Sequence, residues 1–133
     1  IIGSRFKNKN PFLKDGMPFL RYFTNKIMSF VTSKLFNINL TEFHTGCKIF
    51  SKKFYNSVPI YENSDDYLFS FQVIMQASFY KKKYGEISIT SSYEGYKTSC
   101  NYLNGFIYLF GNFKIMLVFL LMILKLIKSK TFK

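Results

Sequence analysis

Cysteine, proline and glycine are all scarce in this chain. It has two cysteines, Cys47 and Cys100, three prolines and seven glycines in 133 residues, a length that suits one domain at most. Two cysteines are too few for a disulfide scaffold and their spacing fits no zinc pattern, so we expect small buried apolar residues rather than redox groups. So little proline and glycine excludes a collagen-like or low-complexity sequence. Aromatic residues make up 20% of the chain, which excludes a disordered one.

Acidic residues are also few. Seven Asp and Glu stand against 19 Lys and Arg, the formal net charge is +12, and no acidic residue follows Glu94. A basic chain raises nucleic acid as a partner. We expect no nucleic-acid partner, because the lysines do not gather on one predicted face with aromatic residues between them and no nucleic-acid-binding motif occurs.

The acid-free end of the chain is apolar. Residues 103–124 carry one charge, Lys114, and residues 115–124 are apolar without interruption. A helix that is apolar on every side must be buried in protein or lipid, and about 20 apolar residues span a bilayer. We therefore predict that residues 104–127 form a membrane-associated helix, with the lysine-rich residues 125–133 among anionic head groups on the cytoplasmic face. A buried core helix with a solvated tail is the alternative.

Strand and helix signals alternate along the rest of the chain. Ile1 and Ile2 run straight into a turn, which predicts the end of a buried strand in a longer protein. Residues 7–16 predict a loop, and residues 17–36 predict a helix whose apolar stripe is buried. That stripe consists of Leu20, Phe23, Ile27, Val31 and Leu35.

The middle of the chain continues the alternation. The predicted elements are a short strand over residues 47–50, a helix over residues 52–57 capped by Ser51, a helix with Asp65 and Asp66 in its first turn, and a strand over residues 86–90. Strands that alternate with helices predict an α/β layer structure.

Side chains suited to chemistry fall in four places, of which two come early. Arg5 follows the first strand, where open α/β sheets bind ligands, and its guanidinium offers a fixed fork to phosphate. His44, two residues after Glu42, suits acid–base work or a metal. With no second soft ligand nearby, a turn histidine bonded to backbone is the expected role.

The other two places lie later in the chain. Asp65 and Asp66 open a predicted helix that needs only one of them as a cap, so the other is available as a general base or as a ligand to a metal held elsewhere. Residues 93–99 form a polar loop in which Lys97 and its hydroxyl neighbours can meet a phosphate, although such residues also fill ordinary loops.

Six short motifs follow one another in a specific order. They are Gly3-Ser4-Arg5-Phe6; Gly16-Met17-Pro18 with Arg21-Tyr22 and Asn25; Thr41-Glu42-Phe43-His44-Thr45-Gly46 with Phe50-Ser51; Asn63-Ser64-Asp65-Asp66-Tyr67-Leu68-Phe69; Gly85-Glu86-Ile87; and Thr98-Ser99-Cys100-Asn101-Tyr102. Over residues 1–102 the series resembles the second half of family 2 glycosyltransferases, the group close to dolichyl-phosphate mannosyltransferase and bacterial polyprenyl-phosphate sugar transferases.

The resemblance implies a partial GT-A fold, the nucleotide-diphospho-sugar transferase fold, with its acceptor half in residues 1–102 and an apolar, basic-tailed helix in residues 103–133. It implies transfer of a sugar from a nucleotide-sugar to a lipid-linked or glycan acceptor, with Mg²⁺ or Mn²⁺. In that family the donor-binding strands and the metal-holding aspartate motif precede the Gly-Ser-Arg turn. We therefore expect the metal to be held mainly by residues outside this chain, and the chain alone to be inactive.

The resemblance also implies roles for individual residues. Asp65 and Asp66 match an acidic pair that is the candidate catalytic base. Donor or acceptor binding is expected of a set of polar residues: Arg5, Arg21, Asn25, His44, Thr45, Lys97 and Ser99.

Three positions depart from the family pattern. Ser92 stands where relatives carry an arginine, Tyr96 where they carry a glutamate, and Cys47 where they carry a tyrosine. The first departure bears on phosphate binding by the late loop, where Lys97 can supply the charge. A hypothesis of a different class is a non-catalytic basic module that binds membrane or a partner.

Overall fold

The computed structural model describes residues 1–93 and 102–132 of the chain. They divide into two units, each with its own packing. One unit contains residues 1–49 and 84–93, and the other contains residues 50–83 and 102–132.

The first unit is built on two parallel strands, β1 (Ile2–Ser4) and β2 (Glu86–Ser88). Their register pairs Gly3 with Ile87. The predicted strand over residues 47–50 is wrong: it is reduced to an antiparallel bridge between Ile2 and Lys48, because the backbone bonds around it involve only Cys47 and Ile49.

Gly3 sits where β1 meets the bridge. A Cβ there would lie 2.9 Å from the Cβ of Cys47 and 2.9 Å from the Cδ1 of Ile89, so only glycine fits without a shift. The prediction that Cys47 is buried is wrong: it is exposed, because the bridge leaves this residue at the edge of the sheet. Cys100 lies outside the described residues.

Two helices follow β1. The predicted loop over residues 7–16 contains a short helix, α1 (Pro11–Lys14), because the side chain of Asn10 accepts a hydrogen bond from the backbone N–H of Phe12 and proline suits the first helical position. Helix α2 (Phe19–Phe36) begins after Pro18. It ends at Asn37, which adopts the left-handed conformation (φ 51°) that terminates many helices.

Helix α2 is turned the opposite way from the prediction. Its buried residues are Met28, Ser29 and Thr32. The predicted apolar stripe faces outward instead, with Leu20, Phe23, Ile27 and Leu35 exposed and Val31 half-buried. Two of these inward side chains, Ser29 and Thr32, are small, and the same side of α2 brings the guanidinium of Arg21 over the ring of Tyr93, 5.9 Å from its centroid. Packing and a specific polar contact thus determine the orientation of this helix.

The second unit starts with α3 (Lys52–Ser57), whose predicted bounds and Ser51 cap are confirmed. A 3₁₀ turn (Ile60–Glu62) follows. Helix α4 (Phe69–Phe79) begins later than predicted, so Asp65 and Asp66 precede it instead of lying in its first turn. The reason is local: the Oδ1 atom of Asp66 accepts the backbone N–H of Leu68 (2.8 Å), which holds a turn ahead of the helix.

Helix α4 is buried from Phe71 to Ala77 and includes a fully buried glutamine, Gln76. The Nε2 atom of Gln76 donates to the carbonyl oxygens of Pro59 (3.1 Å) and Thr131 (2.9 Å), and its Oε1 atom accepts from Asn63 (2.9 Å). These bonds satisfy a buried amide and tie α4 to both ends of its unit.

Helix α5 (Tyr102–Ile123) ends four residues before the predicted boundary. Lys125 adopts a left-handed conformation (φ 58°), and the backbone N–H of Leu126 donates to the carbonyl of Leu121 (2.9 Å), a C-terminal stop that turns the chain back. The returning tail buries Phe132 against Phe79 and Phe119, with ring centroids 5.4 and 5.5 Å away. The predicted tail among head groups is thus partly wrong, because one of its residues belongs to the core.

The part of α5 from Leu103 to Ile123 is long and apolar enough to cross a membrane or to associate with one, and only 22% of its apolar window is buried in the protein. A core helix would be mostly buried. The prediction of a long apolar helix near the end of the chain is confirmed, and its association with a membrane stays a prediction.

Candidate functional site

The candidate site begins where β1 ends. Arg5 is the first residue beyond the strand, and it meets a fully buried carboxylate, Glu42. The backbone N–H of Arg5 donates to Oε2 of Glu42 (2.6 Å), and Nε donates to Oε1 (2.7 Å). Nη2 also forms an ion pair with Oε1 of Glu42. Charge-assisted, multiply bonded pairs of this kind fix both side chains in one geometry.

Tyr93 completes the contact around the guanidinium. Nη1 of Arg5 donates to the hydroxyl of Tyr93 (2.6 Å). Burial opposes the charge of Arg5, but the hydrogen bonds and charges of Glu42 and Tyr93 outweigh it and raise the pKa of Arg5 above its ordinary value. Among the described residues, these contacts occupy three of the five guanidinium N–H groups.

The loop that carries Glu42 is held in place by β2. The carboxylate of Glu86 accepts the backbone N–H of Thr41 (2.8 Å) and that of Glu42 (3.1 Å). The hydroxyls of Ser4 and Thr41 lie 2.7 Å apart. Glu86 at the start of β2 and Ser4 at the end of β1 therefore both position the loop whose carboxylate, Glu42, pairs with Arg5.

His44 and Lys48 add buried nitrogen groups to the same place. Burial, with the charges of Arg5 and Lys48, lowers the pKa of His44 to about 3, so its ring is neutral at physiological pH. The residue is only partly buried as a whole, but its Nε2 atom is buried. Burial lowers the pKa of Lys48 to about 8; Glu42 and Cys47 oppose this shift and Arg5 adds to it. Nζ of Lys48 donates to the carbonyl of Thr45.

We call Arg5, Arg21, Glu42, His44 and Lys48 the cationic cluster. It contains one buried carboxylate, one neutral imidazole and three cationic side chains, so its net charge is positive. A group of this kind at the carboxyl end of parallel strands suits an anionic ligand such as a phosphate.

The other predicted site residues have different positions. Thr45 is buried, and its hydroxyl accepts the backbone N–H of Cys47 (3.1 Å). Asn25 is half-buried on α2, one turn beyond Arg21. Lys97 and Ser99 lie outside the described residues. Asp65 and Asp66 are exposed and belong to the second unit.

Sequence reasoning missed the roles of several residues of the site. Glu86 was noted only within a motif, Tyr93 only within a polar loop, and Glu42 only within a motif and as a neighbour of His44. Their partners lie 37 to 88 residues away along the chain, beyond the reach of any local pattern.

The implied divalent metal has no binding site in the described part of the chain. No group of three or more His, Cys, Asp or Glu side chains there is placed to hold a metal ion. Asp65 and Asp66 alone do not make a ligand set.

Comparison with protein-family models, with curated proteins and with solved structures finds no match to this chain. The resemblance to family 2 glycosyltransferases therefore stays a prediction that depends on its six sequence motifs.

Proposed function

We propose that this chain forms the acceptor-side part of a family 2 glycosyltransferase, which transfers a sugar from a nucleotide-sugar to a lipid-linked or glycan acceptor. The observation that carries the proposal is that the guanidinium of Arg5 is hydrogen-bonded to both Glu42 and Tyr93. They come from three separate segments, of which the first two are motifs of the resemblance, and they converge at the carboxyl end of the strand pair. This is where open α/β sheets bind ligands.

Sugar transfer generates negative charge on the leaving group, which the cationic cluster is suited to stabilise. The acceptor oxygen attacks the anomeric carbon, the bond from that carbon to the diphosphate breaks, and a nucleoside diphosphate leaves with the bonding electrons. Positive groups that face the developing charge stabilise it. Arg5 and Lys48 are the buried cations suited to this, and Glu42 holds Arg5 in a single orientation.

Asp65 and Asp66 are the candidates for the general base. A hydroxyl acceptor must lose a proton as it attacks, and a carboxylate within hydrogen-bond reach takes it. A lipid phosphate is already ionised near neutral pH and needs no base. The nature of the acceptor therefore determines whether this pair is catalytic.

The proposal places the enzyme at a membrane, on its cytoplasmic face. Helix α5 is apolar enough for lipid, and exposed lysines follow it at Lys125, Lys128 and Lys130. Excess lysine beside an apolar helix favours the cytoplasmic side. A lipid-linked acceptor would reach the site from the same membrane.

The test is a transfer assay on two proteins: this chain alone, and the whole reading frame in which it lies. Membranes that contain each protein receive nucleotide-sugars labelled in the sugar and a polyprenyl phosphate. Label is expected in the lipid extract with the whole reading frame and not with this chain alone. Transfer by this chain alone would contradict the proposed division between donor and acceptor parts.

The non-catalytic alternative has one observation in its favour. The guanidinium of Arg5 is already engaged by Glu42 and Tyr93, as in a purely structural ion pair. A membrane-binding module would associate with vesicles through α5 yet leave every nucleotide-sugar intact, even within the whole reading frame.

A further inference from the structure

The outward face of α2 is an exposed aromatic surface. The side chains of Phe19, Phe23 and Phe30 are 62%, 49% and 62% exposed. Leu20 and Ile27 are exposed beside them. At 3.6 residues per turn, these five positions lie within an arc of about 100° on one side of the helix. An apolar arc of this width normally faces a core, but here it faces away from the protein.

The aromatic surface extends onto α1. Phe12 contacts Phe19 edge-on, with ring centroids 5.9 Å apart, and Phe19 stacks on Phe23 at 5.9 Å. Leu13, beside Phe12, is 75% exposed. Apolar surface on this scale marks a contact site.

Charge of one sign accompanies the aromatic surface. Lys14, Lys26 and Lys34 are exposed on α1 and α2, and no acidic residue occurs from Gly16 to Thr41. Nζ of Lys34 lies 5.9 Å from the ring centroid of Phe30, so charge and apolar surface adjoin. The combination of aromatic residues with exposed lysines complements an anionic lipid surface, which offers hydrocarbon beneath a layer of negative charge.

We propose that α1 and the outward face of α2 dock on an anionic lipid surface. Helix α2 lies in the plane of the interface, with its phenylalanines about 5 to 10 Å into the boundary between head groups and acyl chains. Its lysines remain at the level of the phosphates. This membrane contact is a property additional to the proposed sugar transfer. It is made by the first unit, whereas α5 belongs to the second.

The absence of tryptophan from the chain makes a direct test possible. A Phe30→Trp variant carries a single tryptophan on the aromatic surface, and a Tyr61→Trp variant carries one at an 80% exposed position in the other unit. The full chain is reconstituted into phosphatidylglycerol vesicles containing lipids brominated at shallow acyl positions. Emission of the Phe30→Trp variant is expected to shift to the blue and to be quenched, whereas the Tyr61→Trp variant keeps the emission of a tryptophan in water.

Charge is tested in the same experiment. In phosphatidylcholine vesicles, or after Lys26→Gln and Lys34→Gln are added, the blue shift and quenching of the Phe30→Trp variant are expected to diminish together. Water-like emission of the Phe30→Trp variant in phosphatidylglycerol vesicles would overturn the proposal. So would a blue shift that depends on protein concentration and not on bromine, since that result makes a second copy the occupant. Both readouts are independent of sugar transfer.

Discussion

Arg5 and Glu42 form a buried ion pair whose loss should be costly. The Glu42 side chain is fully buried and that of Arg5 is 13% exposed. A Glu42→Gln change leaves the guanidinium buried without a counter-charge. We expect it to lower the free energy of unfolding by about 3 kcal/mol, measured by chemical denaturation in mild detergent. Glu62→Gln, at an exposed glutamate, is the control and should change it by less than about 0.5 kcal/mol. Equal effects of the two variants on the free energy of unfolding would contradict a stabilising role for the Arg5–Glu42 pair.

His44 should make stability depend on pH. Between its ordinary pKa of 6.5 and the lowered value of about 3, the unfolded chain binds a proton at His44 that the folded chain does not. The free energy of unfolding therefore falls as pH falls through this window, by up to about 1.4 kcal/mol per pH unit. A His44→Gln variant lacks this contribution. From pH 7 to pH 4 the stability of the wild type should therefore fall relative to that of the variant, and parallel pH profiles would contradict the buried neutral ring.

Substitution by asparagine can separate a catalytic role of Asp65 and Asp66 from a role in the turn. The oxygen that Asp66 offers to the N–H of Leu68 exists in asparagine too, so Asp66→Asn should keep the turn and lose only the base. In the whole reading frame, Asp65→Asn or Asp66→Asn is expected to reduce turnover by roughly a hundredfold with a hydroxyl acceptor. Unchanged melting curves establish that the fold is intact. Wild-type turnover in both variants would leave the pair without a catalytic role.

At the scale of elements, the sequence was sufficient to predict a helix end where the residues that determine this end lie next to it in the chain. Ser51 acts within a turn of its own helix, and both ends of α3 fall where they were predicted, as does the end of α2 at Phe36, whereas α2 starts two residues later than predicted, after Pro18. The outward turn of α2 was not predictable, because it depends on Tyr93 and on small inward residues. The contact of Arg5 with Glu42 was equally hidden, since their motifs lie 37 residues apart.

Helix α5 should respond to substitution differently on its two sides. Phe119 is 2% exposed among Phe79 and Phe132, whereas its neighbour Leu120 is 44% exposed. In detergent, Phe119→Ala is expected to lower the free energy of unfolding by about 3 to 4 kcal/mol, because it leaves a cavity. Leu120→Ala removes a side chain that does not belong to the protein core, and should cost less than about 1 kcal/mol. Similar losses at both positions would mean that α5 is enclosed by protein on all sides.

At the scale of the whole molecule, the chain contains both the cationic cluster and apolar surfaces suited to lipid. The net charge of +12 is spread over both units, and the described acidic residues of the first unit are largely committed: Asp15 pairs with Lys9 (2.6 Å) and Glu42 pairs with Arg5. Positive charge thus remains for phosphate, whether in a nucleotide-sugar or in a lipid. The class of ligand stays a prediction of the sequence motifs, and the structure adds Lys48 to the candidate site through its proximity to Arg5 and Glu42.

The most direct measurement is the transfer of labelled sugar by the whole reading frame, with Lys48→Met as the site variant. Methionine has a similar length to lysine and suits a buried position, so the fold should persist while a buried cation is lost. The account predicts labelled lipid from the wild type, and for Lys48→Met a kcat/KM for the nucleotide-sugar at least about tenfold lower, equivalent to about 1.4 kcal/mol of lost transition-state stabilisation. No transfer with any nucleotide-sugar, or transfer with an unchanged kcat/KM in Lys48→Met, would contradict it.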